Sequence, residues 1–187
     1  MNDVLERLRA ESDGSPFYET LRTAGPDTLA DALTSAGQPL WARELAAYRL
    51  GLGGDRRAFE ALVLLLNHRD PARCEAAAQA LAVLGDPRTA RAAAALATNT
   101  LRTAYALHPV RLLAALRAPE SAPALIATLG RLLGPHDPYW RVALACAEGL
   151  GALADPRARE VLERARSHPR LAVAASRALT RLPAAEA

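Results

Sequence analysis

The chain has 187 residues, of which 51% are hydrophobic but only 4% aromatic, and no apolar run is long enough to cross a membrane. One continuous domain with a real core fits this length, and an interior filled by Ala, Leu and Val argues for closely packed helices over paired strands. All 23 basic residues are Arg, and the net charge of +3 is unevenly spread: residues 1–38 carry seven acids against three Arg, residues 39–187 thirteen against twenty.

In chain order, residues 1–14 are acidic and amphipathic, without the apolar centre of a targeting peptide. Residues 1–38 read as three short helices broken at Asp13-Gly14-Ser15-Pro16 and at Gly25-Pro26, forming an N-terminal helical cap. From residue 39 to 187 one continuous domain of repeats is expected: hairpins over 39–69, 70–100, 101–136 and 137–169, with a closing helix over 170–182. The repeat shows first in its turns. Gly54-Asp55, Gly85-Asp86 and Ala154-Asp155 each end one apolar helical run (the A helix) and open another (the B helix), and the aspartates lie 31 and then 69 residues apart. The longer gap is about two periods, and Ala118-Pro119-Glu120-Ser121 falls where the missing turn belongs. At Asp86-Pro87 and Asp155-Pro156 a capping Asp precedes a proline whose missing N–H is harmless in the first helical turn; Asp70-Pro71 and Asp137-Pro138 repeat this between hairpins. The glycines of GLGGD (51–55) end a helix and lack the Lys-Ser/Thr of a phosphate loop. Cys74, Ala77, Ala78, Leu81 and Leu84 share one helical face, as do Trp140, Ala143, Leu144, Ala147 and Leu150. Such faces need neighbours, which stacked hairpins supply.

The segments ALAVLGDPRTARAAAAL (80–96) and EGLGALADPRAREVL (148–162) resemble HEAT repeats of the short, phycobilin-lyase-like type, and the resemblance runs over about residues 39–182. It implies an all-α, right-handed α-α superhelix, a HEAT-like solenoid of about four hairpins, with B helices on the concave face. About function it implies little, since related repeats serve in scaffolds, lyases, hydroxylases and DNA glycosylases. His108-Pro109 resembles the proline that kinks many HEAT A helices and is expected to interrupt the third one.

Candidate chemistry is sparse. His68, His136 and His168 fall where a B helix hands over to the next A helix, in a row rather than a cluster, and are expected to satisfy free carbonyls at helix C-termini. None of the four histidines is followed by Glu, as a diiron site on a HEAT frame requires. Cys74 and Cys146 have no Cys or His partner nearby and read as small buried hydrophobes in a reducing cytoplasm. Neither a metal nor a cofactor is indicated. A glycosylase-like site would draw on Trp41, Trp140, Tyr48, Tyr105 and Tyr139 with an acid such as Glu60 or Glu163. The strongest signal is arginine: Arg56, Arg57, Arg88, Arg91, Arg157 and Arg159 open B helices and, with Arg131, form a candidate basic stripe. The expectation is a scaffold that binds a macromolecular partner, a protein first and nucleic acid second, on its concave face rather than an enzyme; a DNA-glycosylase-like or lyase activity would rest on the resemblance alone.

Overall fold

A computed structural model of the chain describes residues 2–134 and 136–184. Among them the secondary structure is twelve α-helices and three short 3-10 segments, with no strand. No described helix is long and apolar enough to cross a membrane. The chain divides into two compact units between Thr89 and Ala90.

The first unit opens with α1 (Asn2–Glu11), α2 (Pro16–Thr23) and α3 (Pro26–Thr34), separated at the two expected breaks. Ser15 caps α2 by accepting from the Phe17 N–H, and prolines start α2 and α3. These three helices pack on α4 (Leu40–Leu52), which also meets α5 (Phe59–Leu66) and α6 (Pro71–Leu84). Helix α4 is therefore surrounded, and Leu45, Ala46, Ala47 and Leu50 are all buried. Leu8, Leu21, Leu62, Leu66 and Leu81 complete this core from the neighbouring helices.

The second unit holds most of α7 (Thr89–Thr98), then α8 (Leu107–Leu116), α9 (Ser121–Arg131), α10 (Trp140–Leu153), α11 (Arg159–Arg166) and α12 (Ala172–Leu179). Helix α10 packs on α8, α9 and α12, α8 also packs on α9, and α11 packs on α12 and touches α9. Ala143, Ala147 and Leu150 of the face expected on α10 are buried, while Trp140 and Leu144 at its margin are half-buried. Val142, Ala145, Cys146 and Gly149, on the other sides of the helix, are buried as well. Small residues are what allow such approach. A Cβ placed on Gly151 would lie 2.8 Å from the Ala178 Cα, so α10 and α12 touch backbone to backbone there.

Two local expectations need correction. Pro109 does not interrupt the third A helix but sits in the first turn of α8; the break lies upstream, where a 3-10 segment (Thr100–Tyr105) precedes Ala106. Its ring has no i−4 helical carbonyl to clash with at that position. The degenerate third turn has no Asp cap. Buried Ser121 replaces it, donating to the Leu113 carbonyl at 2.7 Å and accepting from the Ala118 N–H at 3.1 Å.

Candidate functional site

The candidate arginines are placed by the turn between A and B helices, and that turn is a chelate. Asp55, Asp86 and Asp155 each cap a new helical turn by accepting from the backbone N–H two residues on, at 2.9–3.0 Å. The same carboxylates hold the side chains of those very residues: Arg57, Arg88 and Arg157 each bond their own aspartate through Nε and Nη2. Hydrogen bonding from these guanidinium groups holds Asp55, Asp86 and Asp155 below the usual carboxylate range and raises the arginines above theirs. Asp-x-Arg is thus one self-contained unit.

Two of the three arginines reach further. Arg57 also bonds Asp27 at 2.9 Å, and Arg88 bonds Glu60 at 3.0 Å while lying 3.9 Å over the Phe59 ring. Of the other stripe residues, Arg131 donates to the Thr103 hydroxyl at 2.8 Å and Arg159 to the Pro183 carbonyl at 2.5 Å. Arg56 is exposed and acts on Asp86 through space, and Arg91 is exposed on α7. Of the seven candidates, then, Arg57, Arg88 and Arg157 are neutralised by carboxylates, Arg131 and Arg159 are held by neutral oxygens, and Arg56 and Arg91 keep the freest charge. The signal for this was in the sequence. The Asp-x-Arg spacing recurs three times, and an Arg two residues past a capping Asp curls back onto it.

A second charged cluster was not anticipated. Glu44 on α4 is only 1% exposed and is bonded by Arg7 from α1 and by Arg73 from α6; Glu11 closes the ring, bonding Arg7 at 2.9 Å and Arg73 at 2.6 Å. Four charges from three helices meet there, which satisfies a buried carboxylate that would otherwise be costly.

The histidines act in the opposite sense from that expected. His68 and His168 do not donate to free carbonyls: their Nδ1 atoms accept from the backbone N–H groups of Asp70 at 3.0 Å and Arg170 at 3.2 Å. Each imidazole thereby caps the start of the following segment, and its proton sits on Nε2. No group of three His, Cys, Asp or Glu suited to a metal is found among the described residues. Both cysteines are buried and neither is in a disulfide; the Cys74 thiol donates to the His68 carbonyl at 2.9 Å, and burial pushes the Cys146 thiol up to about 12, which removes it as a nucleophile. Trp41 packs edge-on to Phe17 at 6.2 Å, and Trp140 receives the Arg141 and Arg170 guanidinium groups at 4.7 and 5.0 Å. Glu60 and Glu163, the candidate acids, face solvent and are paired with Arg88 and Arg166.

The second unit carries the excess of arginine, with thirteen Arg against seven acids. Three of them, Arg170, Arg177 and Arg181, line a groove of about 420 Å³ between α10 and α12. No protein-family model matches the chain, and no curated protein is similar enough to count as a relative.

Proposed function

We propose that the chain is a HEAT-like solenoid, a right-handed superhelix of about four hairpins capped by residues 1–38, which binds a protein partner on the concave face formed by its B helices. The observation that carries this reading is the register of the side-chain hydrogen bonds. Arg57 to Asp27, Arg73 to Glu44, Arg88 to Glu60, Arg131 to Thr103 and Thr128 to the Ala97 carbonyl join positions 28–31 residues apart. A spacing of one repeat between partners, recurring in both units, is what stacked helical hairpins produce, because each position meets its equivalent in the adjacent repeat. Repeats of this kind present an extended surface rather than a closed reaction chamber.

Arg56 and Arg91, the stripe residues with the freest charge, are the contacts of choice for an acidic partner. The test is affinity capture from native lysate, with the wild-type chain beside Arg56→Glu/Arg91→Glu. A stoichiometric protein retained by the first and lost from the second is expected; its absence, or equal retention by both, overturns the reading. A cytoplasmic site of action belongs to the same proposal and is supported by two buried cysteines that are not joined in a disulfide.

The charge of the second unit, net +6, favours a second reading in which duplex DNA is gripped by its backbone. Affinity for a random duplex would then fall steeply with salt and drop further with Arg91→Glu. Binding that is absent or indifferent to salt eliminates it.

A further inference from the structure

The groove between α10 and α12 is built differently from the rest of the surface. One wall carries Leu144 and Glu148 of α10; the other carries Arg170, Val173, Arg177 and Arg181 from α12 and its flanks. Val173 and Arg177 lie four residues apart on α12, Arg170 and Arg181 lie in the turns that flank it, and all four line a single channel. The channel is pinched where Gly151 meets Ala178, and its volume of about 420 Å³ is within the range of small-ligand sites.

Its electrostatics are unbalanced. Arg177 and Arg181 make no ion pair among the described residues, and neither does Glu148, although it lines the same groove. One cation near a helix C-terminus is favoured by the dipole, but a second four residues on repels the first. Arg170 is already positioned: its guanidinium rests 5.0 Å from the Trp140 ring, and its backbone N–H is tied to His168. The floor supplies apolar surface, with Val173 66% exposed beside the cations.

We propose that this groove is a binding site for a phosphomonoester, with Arg170, Arg177 and Arg181 holding the phosphate dianion and Leu144 and Val173 receiving the apolar body it is attached to. Planar guanidinium groups match phosphate oxygens in pairs, and three cations against one carboxylate leave an excess of two, the charge of the ligand. The proposal does not depend on the reading of the chain as a solenoid that binds a protein partner. Two sources offer this chemistry, a free phosphorylated small molecule and a phosphorylated side chain of a protein.

The test is an amide- and indole-detected NMR titration of the full chain with inorganic phosphate, phenyl phosphate and a short phosphoserine peptide. Phenyl phosphate is expected to shift the Gly151 and Ala174 amides and the Trp140 indole, and to bind more tightly than inorganic phosphate. Tighter binding by the peptide assigns the protein source; tighter binding by phenyl phosphate assigns the free ligand. Arg177→Ala/Arg181→Ala should weaken binding at least about tenfold. Glu148→Gln should tighten it roughly twofold to fivefold by removing a like charge. Arg111→Ala and Arg164→Ala, exposed residues of the same unit outside the groove, should leave it unchanged. Opposite signs from the two walls localise the phosphate between them. Equal weakening by all the arginine variants, which is diffuse charge attraction, or no saturable shift of the groove resonances, overturns the proposal.

Discussion

The two units use one turn and dispose of their charge in contrary ways. Residues 1–89 carry thirteen acids against ten Arg, and half of those Arg are ion-paired: Arg7, Arg22, Arg57, Arg73 and Arg88. Residues 90–187 carry seven acids against thirteen Arg, and there Arg157 and Arg166 are seen paired with carboxylates. The difference comes from what stands about 30 residues earlier in the chain. Arg57 finds Asp27 and Arg88 finds Glu60, but the residues 28–30 before Arg157 are Ala127, Thr128 and Leu129, which offer no charge. The same frame that cements the first unit with ion pairs leaves the second with guanidinium groups for something else to meet. The ends of the helices before the turns differ too: Gly54 and Gly85 supply the left-handed residue after α4 and α6, while Arg117 and Ala154 take that conformation without being glycine after α8 and α10.

The comparison breaks first, and most severely, at the buried cluster of the first unit. Glu44→Ala strips the central carboxylate from Arg7 and Arg73 and should cost about 3–5 kcal/mol in urea unfolding, since it leaves cations packed with too little counter-charge. A loss below about 1 kcal/mol would mean that Glu11, with Asp70 at 3.4 Å from Arg73, balances both. Next come two glycines at related places in A helices. Gly151→Ala drives a methyl into the Ala178 backbone and should cost about 2–3 kcal/mol. At Gly51 the nearest atom, at 2.8 Å, is the tip of Leu62, a flexible side chain that can move, and the Ala80 Cβ stands at 3.1 Å and must give slightly, so Gly51→Ala should cost less than Gly151→Ala, about 1 kcal/mol, part of it returned by helix propensity. Equal losses would show that α4 and α10 are held with the same rigidity.

The turn aspartates give a smaller effect with a pH signature. The Asp86 side chain is 2% exposed, and Asp86→Ala should cost about 1–2 kcal/mol of stability at neutral pH. Because Arg88 holds this carboxylate below the usual range in the folded chain, the stabilisation is complete above about pH 4 and disappears as pH falls through the depressed value. The gap between wild type and Asp86→Ala should therefore close on acidification; a gap independent of pH would assign the loss to packing. Ala154→Gly should act in the other direction, raising stability by roughly 1 kcal/mol by relieving a left-handed φ of 55°, whereas Gly85→Ala should lower it by a similar amount. The smallest effect is Arg22→Ala, which removes an exposed pair with Glu19 and should shift stability by under about 0.5 kcal/mol.

Much of the fold was legible from the residues alone. The N-terminal breaks, the Asp caps and the helix-ending glycines lie where the sequence puts them, because each depends on groups within four residues of one another. The third turn was legible only as a gap. Ser121 takes over there by closing an eight-residue contact to the Leu113 carbonyl, which no cap pattern announces. The arginines suggest a surface stripe because their spacing along the chain is regular, yet three of them fold back on their own aspartates. The α10–α12 groove was not legible, since Glu148 and Arg177 come together only when Gly151 lets the two helices touch.

By itself the sequence determined where helices start, stop and bury a face, since 3.6-residue periodicity and capping are local and the chain's own order settles them. Which charges are quenched and which stay available was decided by tertiary structure alone. A carboxylate some 30 residues away counts only once neighbouring helices have packed and brought it within hydrogen-bonding distance of a guanidinium, as Asp27 is to Arg57 and, among the described residues, no acid is to Arg177.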